Sequence, residues 1–168
     1  CSSDLAVTMR GARRVLAIVL VPLVLLSTAL GVDSIYGEYQ TIGTLVGYTP
    51  YASLGSIEVH KAAMSVSDWR SKAQKGSLPS MPSQGKVLTV DIPNTESNFT
   101  ARKAMIYLPP AALSDRPPAL PVMELLAGQP GSPSRLIDAG NIAATMNAYA
   151  AKHDGLAPIV LVPDQNEI

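Results

Sequence analysis

The sequence predicts an α/β domain that follows an apolar helix long enough to cross a membrane. Two extended runs, KVLTVDI and RKAMIYLP, precede a strand, helix and strand pattern that ends in APIVLVPD. A strand, helix and strand in this order form a crossover unit, which implies at least one parallel pair of strands. The helix is indicated by the absence of charged residues between Arg14 and Asp33.

The uncharged segment from Val15 to Val32 is predicted to be a transmembrane helix. As a helix it would span about 27 Å, close to the thickness of the hydrocarbon core of a bilayer. Because three arginines precede it, the positive-inside rule predicts that residues 1–14 form a cytoplasmic basic tail. The alternative is a cleaved signal peptide, since Ala29-Leu30-Gly31 offers a small-residue cleavage site. The protein is therefore expected either at the cell membrane with an extracytoplasmic domain or secreted after cleavage.

The two ends of the sequence suggest a piece of a longer protein. The chain starts with Cys1 rather than methionine and stops just after a strand-like segment. We therefore expect further chain after Ile168. Residues 1–5 match what a sequencing adapter would encode if it were read through, and on this hypothesis Met9 is the true start.

Composition argues against several kinds of partner. The 13 basic and 13 acidic residues balance, so the chain lacks the basic excess with which proteins displace counterions from nucleic acid. A single cysteine, Cys1, and two histidines far apart, His60 and His153, provide no zinc-ligand spacing. We expect no nucleic-acid partner and no metal site.

Residues 33–84 are predicted to be a juxtamembrane connector and linker. Tyrosines alternate with glycines just after the helix, which suits either a membrane interface or a loop-rich connector. A short helix is expected to end at Gly76, with Trp69 and Met64 packed against something nearby. The segment GSLPSMPSQG is typical of a solvated linker, which places the domain boundary near Gly85.

Residues 85–168 are expected to contain the strands and the crossover helix. The first two extended runs are predicted to pair as an antiparallel hairpin. The segment ALPVMELLAG shows little alternation of apolar and polar residues, which predicts a strand buried on both faces. Glu124 inside it requires either a solvent-exposed edge or a partner, because burial of an unpaired carboxylate is costly. SRLIDAGNIAATMNAYAAKHDG is predicted to be one helix that Gly155 terminates.

The loop AGQPG, which contains Gly128, Gln129, Pro130 and Gly131, is the candidate binding segment. It follows a strand of the predicted parallel pair, and loops at the carboxyl ends of such strands face the ligand crevice. Its glycines allow the backbone to turn and to direct an amide, that of Gln129, toward a developing oxyanion. The alternative is that the loop is simply a turn.

The chain resembles the opening half of an esterase family of α/β-hydrolases. Three segments carry the resemblance by their order along the chain: ARKAMIYLPPAAL, LPVMELLAGQPGSP and APIVLVPDQ. That family includes formylglutathione hydrolases, siderophore and feruloyl esterases, and secreted mycolyltransferases of actinobacteria. IYGEYQTIGTLVG after an apolar segment resembles its membrane-anchored actinobacterial branch. The resemblance implies a truncated α/β-hydrolase that comprises the first strands, the oxyanion loop and one crossover helix.

The resemblance also implies a mechanism. A serine in a Gly-x-Ser-x-Gly elbow attacks an ester carbonyl, a histidine held by an acid moves the proton, and two backbone amides receive the oxyanion charge. Here Gln129 would supply one amide, and Gly128, Pro130 and Gly131 would shape its loop. No Gly-x-Ser-x-Gly occurs in the chain, so the nucleophile, acid and histidine are expected beyond it.

The implied protein is an exported, membrane-anchored serine esterase or acyltransferase whose partners are small-molecule esters or acyl lipids. This fragment alone is expected to be inactive. Ala127 departs from the family, in which many members carry histidine or aspartate before the loop glycine, where a polar residue helps to fix the loop through hydrogen bonds. The resemblance implies no metal and no organic cofactor. The alternative function is a non-catalytic anchored α/β domain that binds a partner or a cell-envelope glycolipid.

Overall fold

The computed structural model describes residues 2–36, 50–93, 95–97, 99–129 and 131–165 of the chain. Contacts divide the chain into two compact units, Cys1–Val46 and Gly47–Ile168.

The first unit contains one long helix, α1 (Ser2–Tyr36). Its segment Arg13–Val32 has a mean hydropathy of 2.7, and none of it is buried inside the protein. Length and composition are sufficient for this segment to cross a membrane or to act as a signal sequence. The predicted apolar helix is therefore present, while its topology in a membrane remains a prediction.

The second unit is built on a sheet of four strands, β1 (Lys86–Val90), β2 (Ala104–Leu108), β3 (Val122–Glu124) and β4 (Ile159–Val162). The order across the sheet is β1-β2-β4-β3. β1 and β2 form the predicted antiparallel pair, β2 is also antiparallel to β4, and β3 runs parallel to β4. The expectation of a mixed α/β fold with one parallel pair is confirmed.

Alternation along the strands separates two layers of the core. Met105 and Tyr107 face the helices α3 (Pro133–Ala139) and α4 (Ile142–Ala151), where Ile137, Val160 and Val162 complete a buried cluster. Leu108 packs on the other face with Leu88 and Ala112. Burial of each of these large side chains contributes about 1.5–3 kcal/mol.

Residues 50–84 belong to the same compact unit as the strands, although the sequence placed the domain boundary near Gly85. The reason is α2 (Val66–Gln74), whose Trp69 is fully buried against Ala111 and Leu156. α2 begins at a capping box formed by Ser65 and Asp68, as expected for a short helix that needs its first amides satisfied. Leu78 and Met81, inside the predicted linker, pack on the same cluster.

Two sequence-based expectations about the crossover unit were wrong in detail. β3 is not buried on both faces, since it is the last strand in the order β1-β2-β4-β3, Val122 is 62% exposed and Glu124 is exposed as well. The predicted single helix is two, because Asn141 adopts a left-handed conformation (φ 47°) between α3 and α4. Asparagine tolerates that conformation better than most residues do.

Candidate functional site

The candidate loop lies at the edge of the sheet where the two parallel strands end. β3 ends at Glu124 and β4 at Val162, and their register pairs Glu124 with Leu161. The segment that joins β3 to α3, residues 125–132, is called the β3 loop below. Gly128 and Gln129 are exposed and Gly131 is half-buried, while Pro130 lies outside the described residues. The edge at which the β3 loop lies is where open α/β sheets bind ligands.

Two side chains hold the β3 loop by its carbonyl groups. The Gln165 side-chain amide donates to the carbonyl oxygen of Ala127, which is itself buried. The Arg102 guanidinium donates through Nη2 to the carbonyl oxygen of Gly131, at 2.9 Å. Both contacts are made from the segments just before β2 and just after β4. The loop is therefore attached to the sheet at both ends, on either side of the exposed Gly128 and Gln129.

Arg102 is itself fixed by an ion pair with Asp164. Its Nε lies 2.9 Å and its Nη2 3.0 Å from the two carboxylate oxygens, and its backbone amide donates to the same carboxylate at 2.8 Å. The Asp164 side chain is completely buried, whereas that of Arg102 is 35% exposed. Bidentate pairing satisfies a buried carboxylate, and loss of one partner from such a pair typically costs about 3–5 kcal/mol.

These contacts determine which way the loop amides point. The C=O and N–H groups of a trans peptide point in opposite directions. The carbonyl oxygen of Gly128 lies over Gly131, within 2.5 Å of where a β-carbon would stand, so the amide of Gln129 points away from Gly131. Likewise the Gly128 amide points away from Gln165. Two carbonyl groups of the β3 loop, those of Ala127 and Gly131, thus accept hydrogen bonds from side chains outside the loop, and the Gln129 amide points away from Gly131.

The helix that follows the loop is anchored at its start and along its length. Ser132 is the N-cap of α3, and its hydroxyl accepts the Arg135 amide at 3.3 Å. Ser132 therefore has a structural role at the start of α3. On the last turn of α3, Asp138 accepts the hydroxyl of Tyr51. Burial, together with this neighbouring carboxylate, raises the pKa of Tyr51 above its usual value.

The histidines lie outside this edge. His153 is exposed and stacks on Tyr149, with ring centroids 3.9 Å apart and planes 10° from parallel. It lines a groove of about 380 Å³ near Pro121 and Pro158, which precede β3 and β4 and so mark the opposite edge of the sheet. His60 is exposed. Among the residues described, no three His, Cys, Asp or Glu side chains come together as a metal site.

Sequence reasoning missed Arg102, Asp164 and Gln165. The signal was the antiparallel direction of β2, whose start lies beside the end of β4. Register pairs Met105 with Val162, and its extension by a few residues brings Arg102 beside Asp164. The sequence predicted both strands but not that they would be neighbours, because the order of strands in a sheet is a tertiary property.

Comparisons with known proteins provide one relative. An uncharacterized protein of Corynebacterium glutamicum is 33% identical over 156 residues, which are 92% of this chain and 34% of that protein. The chain thus spans about a third of the length of the curated relative that it matches. No family model matches the chain, and no solved structure matches it.

Proposed function

We propose that the chain is the amino-terminal part of an exported, membrane-anchored serine esterase or acyltransferase that acts on carboxylic esters or acyl lipids. The observation that carries the proposal is the β3 loop, which exposes Gly128 and Gln129 at the carboxyl edge of a parallel strand pair. In α/β-hydrolases one oxyanion amide comes from the loop between the third strand and the first helix of the domain. The β3 loop joins the third strand of this sheet to α3.

The strand arrangement supports the same proposal. An α/β-hydrolase sheet is expected to open with an antiparallel hairpin and to continue with parallel strands joined by crossover helices. The order β1-β2-β4-β3, with β2 antiparallel to both neighbours, agrees with that expectation. The site residues proposed are Gln129 as the donor of one oxyanion-hole amide and Gly128, Pro130 and Gly131 as the residues that shape its loop.

The chemistry proposed for the loop is electrostatic. When a nucleophile attacks an ester, negative charge develops on the carbonyl oxygen, and a pre-oriented amide stabilises that charge. Loss of one such donor typically costs about 3 kcal/mol of activation free energy. The nucleophile, its histidine and the acid would come from chain beyond Ile168, and α1 would keep the domain outside the cytoplasm near acyl lipids.

The test uses the full-length protein that carries this chain. Hydrolysis of a nitrophenyl ester and covalent labelling by a serine-directed phosphonate are expected, both abolished by an elbow serine to alanine substitution. The 168-residue chain should show neither activity. A folded full-length protein that neither turns over the ester nor reacts with the phosphonate would overturn the proposal.

The second candidate function is a non-catalytic, anchored α/β domain that binds a partner or a cell-envelope glycolipid. The observation behind it is Ala127, because many members of the esterase family carry histidine or aspartate at this position and this chain does not. The downstream sequence separates the two candidates. A Gly-x-Ser-x-Gly elbow followed by a histidine favours the enzyme, whereas a replaced serine favours the binding domain.

A further inference from the structure

We propose that Arg102 and Asp164 are positioning residues that hold the β3 loop so that the Gln129 amide faces outward at the edge of the sheet. The inference rests on the proposed function. It gives Arg102 and Asp164 a role in that function that the family resemblance did not imply. Neither residue is placed in contact with substrate. Both act through the carbonyl group of Gly131.

The geometry requires an arginine at this position. Arg102 donates four hydrogen bonds through three of its nitrogens: Nε, Nη2 and the backbone amide donate to Asp164, and Nη2 also donates to Gly131. A lysine ammonium is a compact charge without a planar fork, so it cannot bridge a carboxylate and a carbonyl in the same way. A lysine variant should therefore keep the charge and lose the loop contact.

The buried carboxylate explains why the pair can fix a loop. Asp164 lies two residues after the end of β4, and its side chain is fully buried, so its position is set by the sheet. Arg102, which is paired with Asp164, also donates to the carbonyl oxygen of Gly131 and so holds this residue in place, three residues after Gly128. Because the carbonyl oxygen of Gly128 lies against Gly131, a shift of Gly131 also shifts the peptide that carries the Gln129 amide.

A neighbouring ion pair provides a matched control. Lys103 lies 3.7 Å from Asp91, and these side chains are 59% and 72% exposed. Exposed pairs of this kind contribute little to stability, about 0–1 kcal/mol. Lys103→Gln therefore removes a charge one residue from Arg102 without disturbing the contact to the β3 loop.

The first experiment observes the Gln129 amide directly in the 168-residue chain in detergent micelles. Gly128-Gln129 is the only Gly-Gln step in the sequence, so ¹³C-carbonyl glycine combined with ¹⁵N-glutamine labelling isolates a single resonance. We expect an order parameter of about 0.85 in the wild type and in Lys103→Gln, and below about 0.6 in Arg102→Lys and Asp164→Asn. An unchanged order parameter in both Arg102→Lys and Asp164→Asn would overturn the inference.

The second experiment measures kinetics in the full-length protein. Arg102→Lys is expected to lower kcat roughly 10- to 100-fold, as a small misplacement of a catalytic group does. KM should stay within about twofold, because the amide stabilises the transition state more than the bound ester. Lys103→Gln should leave both constants unchanged. A change in KM alone would contradict a positioning role.

The two experiments separate the inference from the proposed function. If the wild type has no esterase activity but Arg102→Lys mobilises Gln129, the pair holds the loop and the esterase proposal fails. If the wild type is active and Arg102→Lys changes neither kcat nor the order parameter, the positioning role fails instead. Should Asp164→Asn not fold, Arg102→Lys decides alone, because it keeps a positive charge beside the buried carboxylate, and an unchanged Gln129 order parameter in it overturns the inference.

Discussion

At the scale of single residues, the two glycines of the β3 loop differ in what surrounds them. A β-carbon on Gly131 would stand 2.5 Å from the carbonyl oxygen of Gly128, which is closer than real β-carbons approach backbone. Among the residues that the structure describes, none has an atom within 4 Å of a β-carbon placed on Gly128. Gly131 is therefore required by close packing of the loop on itself, and Gly128 is not required for that reason.

This difference predicts the outcome of two alanine substitutions. Gly131→Ala should lower the free energy of unfolding by about 1–3 kcal/mol, because backbone must move to make room. Gly128→Ala should change it by no more than about 0.5 kcal/mol. Urea denaturation of both variants checks the prediction. Equal effects of the two substitutions would show that the packing of Gly131 is not limiting.

Tyr107 connects burial to alkaline stability. Burial raises the pKa of its hydroxyl from 10.0 to about 12, and the hydroxyl donates to Asn147 at 2.9 Å. Between these pH values the unfolded chain releases the proton while the folded chain retains it. The free energy of unfolding therefore falls as the pH rises from about 10 to about 12. Below pH 10 the contribution of the protonated Tyr107 to the free energy of unfolding is fully present.

Tyr107→Phe should remove this part of the alkaline loss of stability. We expect a shallower fall in the urea midpoint between pH 9.5 and about 11.5 for Tyr107→Phe than for the wild type. Tyr149→Phe, at a position 48% exposed, is the control and should follow the wild type. An identical pH dependence in Tyr107→Phe and the wild type would contradict the assignment.

At the scale of elements, α2 joins residues 50–84 to the domain. Trp69 is fully buried, and its indole N–H donates to the carbonyl oxygen of Asp154 at 2.9 Å. The packed partners come from the turn after β2 and the loop before β4. Sequence reasoning predicted the helix, its end near Gly76 and the packing of Trp69, but not that its partners belong to the domain.

Trp69→Ala should therefore destabilise the domain itself. We expect a loss of about 3–5 kcal/mol, typical of a buried aromatic replaced by alanine. Arg70→Ala, at the adjacent exposed position, should cost no more than about 0.5 kcal/mol. Thermal unfolding followed by near-ultraviolet circular dichroism measures both. A small effect of Trp69→Ala would mean that residues 50–84 are dispensable, as the predicted boundary near Gly85 implies.

At the scale of the whole molecule, the question is what α1 does for the protein. The span Arg13–Val32 is apolar enough for either a retained anchor or a cleaved signal. The two alternatives differ in the amino terminus of the mature protein. On the proposal of a membrane-anchored esterase, α1 is retained.

We expect the expressed protein to stay in the membrane pellet after an alkaline wash with its amino-terminal segment intact by mass spectrometry. Leu25→Arg should release a large fraction, because arginine at the centre of a membrane helix costs about 2.5–3.5 kcal/mol of insertion. Val59→Arg, at an exposed position outside the apolar helix, controls for the added charge. A soluble product that begins at Val32 would identify a cleaved signal instead.

Much of the fold could be predicted from local patterns. Hydrophobic periodicity, charge, and the glycines and prolines that end helices and strands all act over a few residues. They predict the apolar helix, the antiparallel pair β1 and β2, α2 and the strand β4. Gln129 was predicted as a loop residue because glycines and a proline interrupt an apolar run. Its role as an oxyanion donor stays a prediction.

Other features depend on contacts between residues that are far apart in the sequence, which local sequence patterns do not reveal. The exposure of β3 and the burial of Asp164 with Arg102 were decided only by the tertiary structure. The physical reason is that local sequence sets backbone preference, whereas strand order decides which strand ends become neighbours. By itself the sequence determined an apolar helix and a mixed α/β domain with a loop after its third strand. Tertiary structure alone decided what holds that loop.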